Sequence, residues 1–343
     1  MKLPFTSLVK ICIISVYVII LAGATVRMTG SGMGCPDWPK CFGHLIPPTS
    51  EDQLLWKPDT DFKKGYIIIH EDQLWVAQEA IHTADHFNSS HWKVYTKHDY
   101  ASFNATHTWV EYVNRLASAV AGIFFLLLVI RSLGFRKKNK WIPVLSFLAL
   151  AMMLFEAWLG KTVVDSNLSV SKISVHMVVA LAIVAVLLIM LRQLRLNKAK
   201  HMYDGLMKWL VFTSLLATIA QVLMGIEIRQ YVDIALKEVG LMNKQHLNLS
   251  EHGYFLVHRS FSILVVLVNL MLYLRNRKLA LGYRLPQWIM ILITLEVLTG
   301  IVMFYADFPF GTQATHLLFA TFLFGMQFYL LLKTWPKRAV VTV

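Results

Sequence analysis

Eight stretches of this chain are each long and apolar enough to cross a bilayer, and nothing else in the sequence constrains the fold as strongly. A bilayer core of about 30 Å takes roughly 20 residues of helix. Such stretches run at about 8–26, 110–132, 141–162, 171–191, 207–227, 253–274, 286–304 and 312–333. In lipid each backbone N–H and C=O has to be satisfied within the segment, so the expected fold class is an all-α membrane protein with eight transmembrane helices. Charged residues make up 15% of the chain and apolar residues 56%, with a mean hydropathy of +0.54. A soluble domain carries about 25% charged residues, so this composition excludes disorder and argues against an ordinary soluble enzyme. Three cysteines exclude a disulfide-built scaffold.

The formal charge of +13 is spatially ordered. Lys2 and Lys10 flank the start of the first stretch. Arg131, Arg136, Lys137, Lys138 and Lys140 follow the second, and Arg192, Arg195, Lys198 and Lys200 the fourth. Arg275, Arg277, Lys278 and Arg284 follow the sixth, and Lys333, Lys337 and Arg338 the eighth. All fall on one side, which the positive-inside rule makes cytoplasmic, with both termini there. The excess is therefore read as membrane topology and not as a nucleic-acid surface. Lys2, an apolar run and Ala22-Gly23-Ala24 also fit a signal peptide. The first stretch is nonetheless read as a span, because its end carries a motif that recurs later. The outer segment 27–109 is expected to be a folded extracytoplasmic loop, with a short amphipathic helix near Glu71–His86.

The chain repeats itself. Gly23-x3-Arg27 closes the first stretch and Gly225-x3-Arg229 the fifth. Asn114-Arg115 opens the second, and His258-Arg259 the sixth. Glu156-x3-Gly160 in the third is matched by Glu296-x3-Gly300 in the seventh. His176 lies 16 residues after Gly160, and His316 lies 16 after Gly300. Two pseudo-symmetric four-helix bundles are expected: 1–200, carrying the long loop, and 201–343. The repeat is parallel, about an axis along the membrane normal.

This register puts His176, His258, His316 and Asn114 at one depth, roughly 6–8 Å below the outer boundary. An ionisable group inside the membrane is a functional candidate by default. A lone histidine near an interface is more often structural. A pair at equal depth, His258 and His316, is suited to gripping a haem iron from both faces. Arg27, Arg115, Arg229 and Arg259 lie where guanidinium groups would meet haem propionates. His176 has Asn114 as its counterpart, a poor iron ligand, so a weaker or one-sided grip is expected in the first half. His107, seven residues before Asn114, is an alternative ligand, about 10 Å higher.

The run Gly23-Ala24-Thr25-Val26-Arg27-Met28-Thr29-Gly30-Ser31-Gly32-Met33-Gly34-Cys35-Pro36-Asp37-Trp38-Pro39 closely resembles the opening signature of the haem A synthase family. The resemblance extends over nearly the whole chain. It implies oxidation of the C8 methyl group of haem O to a formyl group, giving haem A for terminal oxidases. It implies haem b as cofactor, held by His258 and His316, and substrate haem O in the first half. There the family pattern E-x-x-H-R reads Glu111-Tyr112-Val113-Asn114-Arg115, so the expected histidine is Asn114 and His176 is the matching ligand. An iron face left open by Asn114 would be available to oxygen or water.

Glu111 has two readings, a carboxylate at a helix N-terminus or, by the resemblance, an acid–base group. Glu156 and Glu296 are repeated, which argues for inter-helix hydrogen bonding over a proton path. Cys35 and Cys41 are expected to form a disulfide on the oxidising outer side, structural or redox-linked. Cys12 reads as a small apolar packer. His82 and His86 share a helical spacing that metal ligands use, but a solvated surface is the preferred reading for them and for His91. His44, His70, His98, His201, His246 and His252 carry no functional expectation.

Expected partners are the lipid bilayer, the haem O synthase that supplies the substrate, and further copies of this chain. Nucleic acid is not among them. The expected location is the inner membrane, with the haem sites near the outer face. Two other functions fit the pattern less well. A di-haem cytochrome serving quinol-linked electron transfer would want histidine pairs in both halves. A repeat-built transporter would want helices broken by Gly or Pro at the midplane.

Overall fold

The computed structural model describes residues 4–96, 103–166, 168–194, 201–239 and 253–335. His98, His246 and His252 lie outside the described residues. So do Lys2, Arg195, Lys198, Lys200, Lys337 and Arg338 of the basic clusters. Among the described residues there are eight long helices: α1 Phe5–Met28, α2 Ala105–Ser132, α3 Trp141–Asp165, α4 Val170–Leu194, α5 Gly205–Val239, α6 Gly253–Lys278, α7 Leu285–Tyr305 and α8 Thr312–Thr334. All eight are long and apolar enough to cross a membrane, as the sequence predicts, and the protein is a multi-pass membrane protein. Their ends carry local signals. Asp204 caps α5, its Oδ1 accepting from Met207 N at 2.6 Å. Asn104 does the same for α2 by accepting from His107 N at 3.1 Å. Pro286 sits in the first turn of α7, where its missing N–H costs nothing.

Contacts divide the chain into two units. The first comprises 1–21, 121–156 and 170–343. Within it α5 packs on α6 and α8, and α7 also packs on α6 and α8. The four close a ring in which α6 and α8 face each other across the diagonal. The connections 279–284 and 306–311 are short, which makes neighbours antiparallel. The core of this bundle includes Met207, Val211, Leu272, Ile289 and Leu330. A second apolar core in the same unit gathers Cys12, Val16, Phe125, Leu128, Ile183 and Leu187. Many Leu, Ile and Val on the outer faces of α6 and α7 are exposed, as expected for lipid-facing surfaces.

The second unit comprises 22–120 and 157–169. It holds the outer segment, and here the structure corrects the sequence reading. No helix spans Glu71–His86. That region is β-structure: β1 Asp61–Phe62, β2 Ile67–His70, β3 Gln73–Ala77, β4 Ile81–His82 and β5 Trp92–Val94. β2, β3 and β5 form an antiparallel sheet, with Ile67 opposite Val76 and Trp75 opposite Val94. β1 pairs with β4, Asp61 opposite His82. Glu71 and Asp72 both take positive φ, 50° and 56°, the two-residue turn that matches strand twist. Ile67 and Leu74 pack with Cys35, Cys41, Phe42 and Leu54 on one face, while Ile68 and Ala77 pack with Phe62 and Trp92 on the other. With both faces covered, the strands lack polar alternation. The i, i+4 spacing of His82 and His86 was a coincidence of composition, and β-branched and aromatic residues decided the outcome.

Candidate functional site

The ring formed by α5, α6, α7 and α8 places two imidazoles on diagonal helices. His258 lies in the second turn of α6 and His316 in the second turn of α8. His316 Nδ1 lies 2.8 Å from Glu296 Oε2 on α7 and 2.8 Å from Thr299 Oγ1. A carboxylate on Nδ1 fixes the tautomer and turns Nε2 outward as the free donor, which is the arrangement metal-ligating histidines use. The inter-helix hydrogen bond expected of Glu296 is thus the bond that orients the histidine. His258 is held at its backbone, where Gln221 Nε2 donates to the carbonyl at 3.1 Å. Its Nδ1 is buried with no partner among the described residues. Two glycines face the rings at van der Waals range. A Cβ on Gly225 would stand 3.6 Å from His258 Cε1, and one on Gly300 would stand 3.7 Å from His316 Cε1. The donor set, two imidazoles on diagonal helices with one held at Nδ1 by a carboxyl group, fits an iron porphyrin.

In the first half the same features recur in part. His176 Nδ1 lies 3.1 Å from Glu156 Oε1, at ion-pair distance but without hydrogen-bond geometry. The spacing is the same in both halves, since Glu156 precedes His176 and Glu296 precedes His316 by 20 residues. In the second unit, Gly23 lies against Asn114 as Gly225 lies against His258, with a Cβ there 3.9 Å from Oδ1. Asn114 Oδ1 is buried and unpartnered among the described residues.

Glu111 and Arg115 form a further centre in the second unit. Glu111 is 3% exposed. Its Oε2 accepts from Cys35 N at 2.9 Å, and its Oε1 pairs with Arg115 Nη2 at 2.5 Å. Arg115 Nη1 donates to the carbonyls of Asp37 at 2.7 Å and Lys40 at 2.8 Å. Cys35 and Cys41 are joined as a disulfide. One turn of α2 therefore grips the disulfide-closed loop by a backbone N–H and two carbonyls. The guanidinium of Arg115, expected near a propionate, binds this loop among the described residues. Gly34 makes the approach feasible, because a Cβ there would collide with the His107 carbonyl. Burial pushes the Asp37 carboxyl up from its ordinary value, against the pull of backbone donors and Arg115.

The other expected arginines are differently engaged. Arg229 pairs with Asp233 at 2.7 Å along α5. Arg259 is exposed and lies over the Phe255 ring at 6.0 Å. Arg27 is half-buried near the end of α1. In the outer segment His82 bridges Asp61 at 2.9 Å and Asp59 at 3.1 Å, and His91 pairs with Glu79 at 2.7 Å. Among the described residues no group of three or more His, Cys, Asp or Glu is arranged to hold a metal ion. Cys12 is buried and free, as a packing residue.

Comparison with known proteins gives these features a family. A model described as cytochrome oxidase assembly protein (COX15-CtaA) matches residues 6–64 and 56–328. A haem A synthase of Wolbachia pipientis wMel is 21% identical over 345 residues, covering 94% of this chain and 90% of that protein. A haem A synthase of Shewanella oneidensis is 40% identical over 52 residues, a match spanning 15% of this chain and 16% of that protein. One from Alkalihalophilus pseudofirmus is 24% identical over 178 residues, covering 51% of this chain and 42% of that protein. The family model covers most of the chain, and the chain belongs to the COX15-CtaA cytochrome oxidase assembly proteins, the haem A synthase family.

Proposed function

We propose that this protein is an oxidoreductase of haem A biosynthesis, converting the C8 methyl group of haem O to a formyl group. The observation that carries the reading is the pair His258 and His316 on diagonal helices, with Glu296 fixing His316 for metal ligation. In this reading the second half holds haem b as a resident cofactor, which when bound supplies one-electron chemistry. His258 and His316 would hold it, and Arg229 on α5 and Arg259 on α6 would be available to its propionates.

The first half takes haem O as substrate through His176, with Glu156 at ion-pair distance from it. Asn114 stands where the family pattern has a second histidine, so this half grips one face and leaves the other free for reaction. Oxidising a methyl group to an aldehyde releases protons, and Glu111, one turn from Asn114, is the carboxylate assigned to take one. Its partner Arg115 holds that carboxylate and the disulfide loop together. The two-bundle organisation, 1–200 and 201–343, belongs to this proposal. It is supported by the matched Glu–His spacing and the matched glycine contacts. So does an inner-membrane location with both termini cytoplasmic and with the haem O synthase as supplier.

The test is expression in a host that makes haem O but lacks its conversion. Pyridine haemochrome analysis should show haem A with the wild type, and haem O alone with His258→Ala or His316→Ala. Haem A formation at wild-type level in both variants would overturn the assignment. Asn114→His should add a low-spin, six-coordinate haem signal; an unchanged spectrum would remove the support for a one-sided grip.

A further inference from the structure

Three turns below the two histidines, the four-helix ring is closed by a polar cluster. Asn269 follows His258 by 11 residues on α6, and Gln327 follows His316 by 11 on α8. Both therefore lie about 16 Å deeper along their helices. Ser214 Oγ on α5 lies 2.7 Å from Asn269 Oδ1. Gln327 Nε2 donates to Ser214 Oγ at 2.8 Å and reaches Asn269 Oδ1 at 3.3 Å. Asn269 Nδ2 donates back to the Val265 carbonyl at 2.8 Å. Ser214, Asn269 and Gln327 are each fully buried. Across the diagonal of the ring, where α6 and α8 face each other, these amides make the connection.

The cluster is not complete on protein atoms alone. Gln327 Oε1 is buried without a partner among the described residues, and so is Thr218 Oγ1, one turn along α5 from Ser214. Thr218 is 2% exposed. Unpaired hydroxyl and amide oxygens in a hydrocarbon environment are costly, and internal water is the usual remedy where several polar groups converge.

The fold does not require this polarity. The repeat that pairs Gly23 with Gly225, Asn114 with His258 and His176 with His316 also pairs Ser214 with Cys12, Thr218 with Val16, Asn269 with Phe125 and Gln327 with Leu187. Those four first-half residues are 0%, 3%, 0% and 0% exposed and share one apolar core. The same register positions are buried in both halves. Only the half assigned a resident haem makes them polar.

We propose that Ser214, Thr218, Asn269 and Gln327 form an internal water-binding site that locks α6 to α8 through α5 and holds the second haem cradle in its binding geometry. This rests on the reading of His258 and His316 as haem ligands. A permanent cofactor gains from a preformed cradle, because binding then spends nothing on ordering the helices. A substrate that must enter and leave gains nothing from such a lock, and the four matching first-half positions are apolar.

Two measurements test the proposal, and one needs no haem. In haem-free protein in nanodiscs, backbone hydrogen exchange of α6 and α8 around Asn269 and Gln327 should quicken in Gln327→Leu and Ser214→Ala. It should stay at the wild-type rate in Ser214→Thr, which keeps the hydroxyl. A bond of the strength measured between helices in lipid corresponds to about a threefold change per bond. The water is read by infrared spectroscopy: an O–H band that shifts in H2¹⁸O should be present in the wild type and lost in Thr218→Val and Gln327→Leu.

In haem-loaded protein, transfer of haem to a scavenger should be several-fold faster from the Leu and Ala variants, with Ser214→Thr unchanged. Unaltered exchange in both Gln327→Leu and Ser214→Ala would overturn the lock, and absence of the isotope-sensitive band in the wild type would overturn the water site. If His258→Ala and His316→Ala leave haem binding intact, the ligand reading fails instead, while the exchange arm still reports on the lock.

Discussion

Arg115→Ala isolates the centre that ties the outer segment to α2. Its side chain is 15% exposed and that of Glu111 is 5% exposed, so the pair is close to fully desolvated. Removing the guanidinium strips the carbonyls of Asp37 and Lys40 of a charged donor and leaves the Glu111 carboxylate buried without its charged partner. Breaking a buried ion pair from one side costs about 3–5 kcal/mol, most of it the orphaned charge. At about 1.4 kcal/mol per decade, a loss of 4 kcal/mol raises the opened population of the segment by about three decades.

The assay is brief proteolysis of the full chain in nanodiscs, scored for cleavage between 28 and 105, under conditions where the rate follows the opened population. Because the cost lies in the orphaned charge, adding Glu111→Gln to Arg115→Ala should recover much of the loss. A single variant less than about tenfold more susceptible than wild type, or a double variant as bad as the sum of the two single ones, would refute the argument.

Glu296→Gln removes the carboxylate from His316 Nδ1. Losing the group that orients a metal-ligating histidine costs about 10–100-fold in metal affinity, and haem titration of the variant should show a decrease of that order together with a raised midpoint potential. Gly34→Ala drives a Cβ into the His107 backbone in the first turn of α2, which cannot yield without moving the helix; about 1–3 kcal/mol should be lost, visible as a lower thermal midpoint. Hydrogen bonds that the His82 imidazole donates to Asp61 and Asp59 raise it above its ordinary 6.5. Its contribution to the β1–β4 pairing is thus fully present below pH 6.5 and fades as the pH rises through the raised value. Protection of the Asp61–Phe62 amides against exchange, corrected for intrinsic rate, should fall from pH 6 to pH 8 in the wild type and stay flat in His82→Gln.

Much of the architecture could be read from residues alone, because a transmembrane helix satisfies its backbone internally and is specified by the composition of one continuous stretch. All eight stretches became helices within a few residues of their expected ends, α5 excepted, which runs on to Val239. His316 stood out for a related reason: its spacing from Gly300 repeats that of His176 from Gly160. The opening signature identified the family before any coordinates did.

What sequence could not supply was every feature made by residues far apart in the chain. The β-sheet of the outer segment depends on pairing across turns, and its strands bury both faces, so no period-two pattern marks them. Glu111 and Arg115 sit i, i+4 in full view, yet their grip on Cys35, Asp37 and Lys40 crosses 75 to 80 positions. Only packing brings that guanidinium to these carbonyls. The contact of Glu296 with His316 and the joining of Ser214, Asn269 and Gln327 likewise follow from which helices are neighbours. Local composition determined the elements and their depth; neighbourhood, set by close packing of whole helices, decided which polar groups meet and what each imidazole is held to do.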